Sequence, residues 1–260
     1  MRAIIINLDH ATARMDFQRR QLSRLGIAFD RLPAVAVGDL ADPADETYWA
    51  GWQRPIAVTE RACLCSHIAA WKRVIDDDAP FLILEDDALL SDDVPLILSE
   101  AEKHHEWDLL QLETRKRRKL LSRGSVGLGP VRAHRLYVDR AGAAGYVLWP
   151  SGAAQLLDRA YKRPALADAM ISTPGLLHAL QAVPAAVIQN DIAEDVGVAP
   201  QWPVDISSVS SPNHRKVRKT PAQKCRRILA QLHLGLWDVW GGLAYQKVMA
   251  PFAADRFTDS

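Results

Sequence analysis

Four consecutive apolar residues, Phe81-Leu82-Ile83-Leu84, run straight into three consecutive acids, Glu85-Asp86-Asp87. A short apolar run of this kind reads as a strand buried on both faces, the strand type of a sheet covered by helices. Acids crowded at its end repel one another and must stay solvated or be neutralised. A second run, Arg2 to Leu8, has the same form and closes on Asn7-Leu8-Asp9. In open α/β sheets ligands bind outside the C-terminal ends of the strands. The two strand ends are therefore the first place to look for chemistry.

The rest of the chain extends the strand-helix alternation. Residues 11–25 predict a helix stopped by Gly26, and Phe29 to Val35 a second strand. The stretch from Gly38 to Arg54 reads as a loop. Thr59 is expected to cap a helix from Glu60 to Ile75, with Trp71 in the core. A helix near Val94 to His104, a strand at Asp108 to Leu112, a strand at Gly145 to Trp149 and a helix from Gly152 to Tyr161 capped by Ser151 follow. An apolar stretch from Ala182 to Ile188 ends at Gln189-Asn190-Asp191. The alternation predicts an α/β fold with a mostly parallel sheet flanked by helices. With 260 residues and 48% apolar content, the chain is long enough for one large core.

Two basic segments interrupt this pattern. Arg115-Lys116-Arg117-Arg118-Lys119, followed by several glycines, reads as a mobile, solvated loop or hairpin. Its functional alternative is contact with a phosphorylated acceptor. Beyond about residue 207, Arg215, Lys216, Arg218, Lys219, Lys224, Arg226 and Arg227 come without an acid between them, and Leu229, Leu232, Leu234, Leu236, Trp237 and Trp240 follow. That composition divides the chain into a catalytic domain, 1–206, and a basic helical C-terminal extension, 207–260. The extension suits either an anionic membrane surface or packing on the catalytic domain.

Composition narrows the function classes. A net charge of +1 argues against a general polyanion binder, so no nucleic-acid partner is expected. The three cysteines, Cys63, Cys65 and Cys225, do not make a disulfide framework and fit a reducing cytoplasm. Cys63, Cys65 and His67 lack a second ligand pair at zinc-finger spacing, so they read as ordinary packed residues. The Ala3–Ile6 run is too short for a secretory leader, and no stretch has the length of a membrane span. A cytoplasmic protein, at most peripheral on the inner face of a membrane, is expected.

The acids carry the sharpest expectation. Strand alternation would put Glu85 and Asp87 on one face and Asp86 on the other. Carboxylates suit a hard cation such as Mg²⁺ or Mn²⁺, so Asp87 and Glu85 are the candidate metal ligands, supported by Asp86. A solvated acidic turn is the plain alternative. Asn7 and Asp9 could bond a base or ribose, or simply form an Asx turn.

Taken in order, Ile4-Ile5-Ile6-Asn7-Leu8-Asp9 with Arg14, Glu60-Arg61-Ala62-Cys63-Leu64-Cys65-Ser66-His67 with Trp71, Leu82-Ile83-Leu84-Glu85-Asp86-Asp87, Asp108 to Leu112, and Gly145 to Leu157 resemble glycosyltransferase family 25, the lipooligosaccharide and lipopolysaccharide galactosyltransferase family. The resemblance covers about residues 3 to 190. It implies a GT-A-like, Rossmann-like fold, a UDP-sugar donor (often UDP-galactose), Mn²⁺ or Mg²⁺, inversion at the sugar, and a lipid-linked oligosaccharide acceptor. It also implies that Asn7, Asp9, Arg14, Glu60, Ser66, His67, Glu85 and Asp86 line the donor site. Ala62 stands where the family has glycine and Cys65 where it has an aliphatic residue. The family's Pro-x-Asp pattern is stretched here to Pro164-Ala165-Leu166-Ala167-Asp168. Asp168 is accordingly the first candidate for the base, with Asp191, Glu194 and Asp195 as rivals after a strand. Two other classes compete: a metal-dependent phosphohydrolase using the same acids, and a non-catalytic membrane- or nucleic-acid-binding module using the basic segments.

Overall fold

The computed structural model describes residues 1–40, 46–139, 142–203 and 220–258, without the side chains of residues 233, 234 and 236–244. In chain order, β1 (Arg2–Asn7), α1 (Thr12–Arg24), β2 (Phe29–Pro33), a single-turn α2 (Glu46–Trp49), the long α3 (Val58–Asp76) and β3 (Phe81–Glu85) come first. β4 (Ala88–Leu90), α4 (Val94–Ala101), β5 (Leu109–Gln111), β6 (Arg118–Leu128) and β7 (Val131–Val138) follow. Next are β8 (Gly145–Leu148), α5 (Pro150–Lys162), α6 (Ala167–Ile171), β9 (Ala179–Val183) and β10 (Val187–Gln189), and finally α7 (Pro221–Ala244) and β11 (Tyr245–Met249).

Nine strands form one sheet in the order β11-β6-β7-β9-β5-β8-β3-β1-β2, while β4 and β10 form a small ribbon of their own. β1 pairs in parallel with β2 and β3, and β5 with β9. The remaining contacts within the large sheet are antiparallel. Followed across the sheet, these pairings give β1, β2, β3, β5, β6 and β9 one direction and β7, β8 and β11 the other. One direction prevails, as expected, with β8 inserted against it between β3 and β5.

Helices cover both faces because β1 and β3 are apolar on both. Ala3, Ile5, Leu82 and Leu84 pack with Met15 and Leu22 of α1 and with Val94, Ile97 and Leu98 of α4. Ile4, Ile6, Phe81 and Ile83 pack with Leu64, Trp71 and Val74 of α3 and with Ala153 and Leu156 of α5. This is the period-two alternation of a strand buried twice. Gly152 lets α5 sit on β5, since a Cβ there would meet the Asp108 carbonyl oxygen.

Several local expectations are corrected. α3 starts at Val58 after Ala57, and its first turn is closed by Glu60, whose Oε2 accepts the Ala57 N–H at 2.8 Å, not by Thr59. α5 starts at Pro150, and Ser151 donates to Asp108 Oδ1 at 2.6 Å instead of capping. The basic run ends in a hairpin, one of its two expected forms: Arg118 and Lys119 open the 11-residue β6, which pairs with β7, but Lys119 is buried and not solvated, its Nζ bonding Asp139 Oδ2, Gln181 Oε1 and the Glu113 carbonyl at 2.8, 2.6 and 3.0 Å. The boundary expected near residue 207, and Arg215, Lys216, Arg218 and Lys219, lie outside the described residues, as do the side chains of Leu234, Leu236, Trp237 and Trp240. After that gap the chain rejoins the large sheet, where β11 pairs with β6.

Candidate active site

The β1–β3 register sets Ile6 opposite Glu85, so Asn7 and Asp86 leave the sheet side by side. Asn7 Nδ2 donates to Asp86 Oδ2 at 2.7 Å, and Arg31 Nε donates to Asn7 Oδ1 at 2.9 Å. From the other side the β4–β10 ribbon fixes the acidic turn. Gln189 lies opposite Ala88 and donates to Glu85 Oε2 at 3.1 Å, and the Asn190 N–H bonds the Asp87 carbonyl at 3.0 Å.

These strand ends open on a cleft of 640 Å³. Glu85, Asp86 and Asp87 all line it, together with Arg14 from α1, Glu60, Ser66 and His67 from α3, Asp168 from α6, and Asp191 after β10. Eight of the ten residues assigned above to catalysis, donor or metal binding therefore meet in one place, Asp168 and Asp87 among them, and the two that do not are Asn7 and Asp9. Asn7 is turned inward to hold Asp86, and Asp9 pairs with Arg31; neither is on the cleft wall. Of the rival bases only Asp191 lines the cleft, and it is paired with Arg115 at 2.6 Å. Asp195 pairs with Lys116.

Some of these residues are occupied with structure. Glu60 takes both guanidinium nitrogens of Arg54 at 2.8 and 2.6 Å as well as the Ala57 N–H. Ser66 Oγ accepts the Val35 N–H at 2.9 Å and donates to the Ala62 carbonyl at 2.8 Å, which ties the Ala34–Val37 wall of the cleft to α3. His67 Nδ1 lies 2.9 Å from Tyr146 Oη and its Nε2 lies 3.2 Å from Glu85 Oε1.

Electrostatics single out Asp87. Part of the residue opens on the cleft, but its Oδ1 is buried with no hydrogen-bond partner. Burial, and then the charges of Glu85 and Asp86, hold its carboxyl well above the usual carboxylate range. Asp86 is also raised, chiefly by burial, which outweighs Arg14 at 3.0 Å and the Asn7 bond. Asp168 is raised by burial first and Glu85 second among the raising causes, with Arg117 and the Ala169 N–H opposing. An acceptor oxygen buried without a donor, beside two more carboxylates, is the donor set of a hard cation. The residues present thus fit Mg²⁺ or Mn²⁺ at Asp87 and Glu85.

Read from sequence, the basic run has contact with a phosphorylated acceptor as its functional alternative, but that reading does not bring it to the acidic turn. Arg115 and Arg117 line the cleft and add guanidiniums to that of Arg14. Their signal was position: the run follows β5, whose C-terminal end lies on the ligand side of the sheet. Gly142, at φ +112°, also lines the cleft; a Cβ there would come within 2.5 Å of Glu113 Oε2. Glu113 itself is buried, with Oε1 unpartnered, and burial pushes it up to about 8.

No curated protein matches this chain. Among solved structures, the inositol-1-phosphate CTP transferase from T. maritima is similar over 72% of this chain and 67% of its own, at 12% identity and a TM-score of 0.35, a likeness too loose to bear on activity. The sequence pattern of glycosyltransferase family 25 (LPS biosynthesis protein) matches residues 1–171, from the first strand through the acidic turn to the end of α6. With two thirds of its length in that match, the chain belongs to glycosyltransferase family 25, the transferases of lipopolysaccharide biosynthesis.

Proposed function

We propose that the protein transfers a hexose, galactose being the first candidate, from a UDP-sugar to a saccharide of a lipid-linked lipopolysaccharide or lipooligosaccharide acceptor, with inversion and with a hard cation at Asp87 and Glu85. The observation that supports this most is the meeting of three unlike groups in one cleft: the acidic turn, the guanidiniums of Arg14, Arg115 and Arg117, and the carboxyl of Asp168. A GT-A-like donor site needs the first two for a diphosphate and the third for a hydroxyl.

The reaction is one in-line displacement at the anomeric carbon. Asp168 accepts the proton of the attacking acceptor hydroxyl, and its burial raises its basicity for that task. Arg14, Arg115 and Arg117 face the leaving diphosphate and offset its charge. Asn7 and Gln189 hold the carboxylates of Asp86 and Glu85 in place. A bound Mg²⁺ or Mn²⁺ would supply Lewis-acid stabilisation of the leaving group. Without it, the six lining acids, Glu60, Glu85, Asp86, Asp87, Asp168 and Asp191, outnumber the three arginines, which disfavours a diphosphate.

The acceptor would be met at a membrane surface. No helix among the described residues is long and apolar enough to cross a membrane. α7 instead exposes Ile228, Leu229 and Leu232 beside exposed Lys224 and Arg227, a pattern suited to the anionic inner face.

The test is to incubate purified protein with a panel of nucleotide sugars, with and without Mn²⁺, and to follow nucleoside diphosphate release and its stimulation by core oligosaccharide. Acceptor-stimulated release of UDP is expected. Release of inorganic phosphate instead would support the phosphohydrolase reading, and turnover unaffected by chelator would remove the cation.

A further inference from the structure

One cluster at the cleft has the donor set of a different ion. Cys63 and His67 stand one turn apart on α3, and Glu85 faces them from the end of β3. One ligand atom from each, a sulfur, an imidazole nitrogen and a carboxylate oxygen, lie within 4.8 Å of one another. With ligand bonds of about 2.0–2.3 Å, a tetrahedral site has edges of about 3.3–3.8 Å. The His67 Nε2 to Glu85 Oε1 separation of 3.2 Å is already near such an edge. The remaining separations, within 4.8 Å, would close by about 1 Å at most to complete three corners.

The support behind these ligands is also that of a metal site. Tyr146 Oη holds the far ring nitrogen of His67 at 2.9 Å, and Trp71 Nε1 donates to Tyr146 Oη at 2.9 Å. Both aromatic side chains are fully buried. The second oxygen of Glu85 is held by Gln189. Hydrogen bonds to the outer atoms of metal ligands are what fix ring orientation and carboxylate direction in metal centres. All three ligand residues line the cleft, from which an ion would enter.

We propose that Cys63, His67 and Glu85 form a binding site for a borderline-soft divalent cation of the Zn²⁺ class, separate in donor type from the oxygen site at Asp87. Thiolate and imidazole select Zn²⁺ or Co²⁺ over Mg²⁺ and Mn²⁺. Binding replaces the Cys63 thiol proton, which leaves to solvent, and puts the remaining imidazole proton on Nδ1, where Tyr146 Oη accepts it. Because the ion takes Glu85, an oxygen ligand of the proposed Mg²⁺ or Mn²⁺ site, the two sites compete.

The test measures binding without any donor sugar, so its outcome is independent of the glycosyl-transfer reading. Co²⁺ is titrated into the full chain and followed by absorption. One equivalent is expected to give a thiolate-to-cobalt band with tetrahedral visible bands, displaced by Zn²⁺ and not by Mg²⁺. Cys63→Ser should abolish the thiolate band and His67→Gln should weaken binding at least about tenfold, while Cys65→Ser and Cys225→Ser keep both. In the wild-type chain, with no variant needed, Zn²⁺ should protect Cys63 from iodoacetamide, read by peptide mass. Absence of that protection, or a band that survives Cys63→Ser, overturns the assignment.

Discussion

Asn7 Nδ2 donates to Asp86 Oδ2 at 2.7 Å across two neighbouring parallel strands, so the end of β1 and the acidic turn behave as one unit. Asn7→Ala would leave a buried carboxylate oxygen short of a donor, at a cost of about 1–3 kcal/mol. Urea unfolding should show that loss. Transfer should fall as well, since Asp86 would no longer be held against Arg14. Unchanged stability would mean that water replaces the amide.

Asp87→Asn separates the fold from the chemistry. The amide is a far weaker ligand for a hard cation, so transfer should be lost. The buried Oδ1 has no donor to lose, and a neutral group relieves the repulsion from Glu85 and Asp86. The variant should therefore melt no lower than wild type. Near wild-type turnover would move the cation elsewhere.

Asp168→Asn should lower the transfer rate by about 10²–10⁴-fold, the usual share of a general base, with donor binding intact. Because burial raises the Asp168 carboxyl, the acidic limb of the wild-type rate profile should lie above the ordinary carboxylate range. Asp191→Asn should cost less and act through Arg115, its partner. A reversed order of the two variants would transfer the role of base to Asp191.

Glu113 gives the protein a pH dependence of its own. Its carboxyl is raised from 4.5 to about 8 by burial, so the folded chain holds a proton there that the unfolded chain releases. Such a group favours the fold fully below the unfolded value, progressively less as pH rises, and not at all above about 8. Glu113→Gln removes this slope. The difference between variant and wild type, followed by thermal melts from pH 4 to 8.5, should move toward the variant by on the order of a few kcal/mol. Parallel curves would show that the carboxyl is ionised throughout.

Binding of the full chain to anionic vesicles tests the exposed face of α7. Each basic residue near such a surface contributes about 1 kcal/mol, and added salt should weaken the binding. Replacing Lys224 and Arg227 by Gln together with Leu229 and Leu232 by Ser should release the protein while sparing UDP-sugar hydrolysis. Equal retention on neutral vesicles would discard the electrostatic part.

The two apolar runs announced β1 and β3, and the acids at the end of β3 announced the cleft, because a doubly buried strand and a crowd of like charges are both local facts. What stayed hidden depends on distant partners. Lys119 sits in a basic run and reads as solvated, yet Asp139 and Gln181 close around it. Arg115 meets Asp191, which is 76 residues away in sequence. Cys63 and His67 suggested no ligand set without Glu85, which the α3–β3 packing brings to them. β11 gave no signal of its own, since its place is set by the free edge of β6.

That edge has a consequence for biosynthesis. β6 spans Arg118–Leu128, and its outer side is covered by Tyr245–Met249, a stretch made more than a hundred residues later. Until then a nascent chain carries an open strand able to pair with a neighbouring copy. Slow or interrupted translation would therefore favour intermolecular association over completion of the sheet, and the yield of native protein should depend on how quickly the ribosome passes β11.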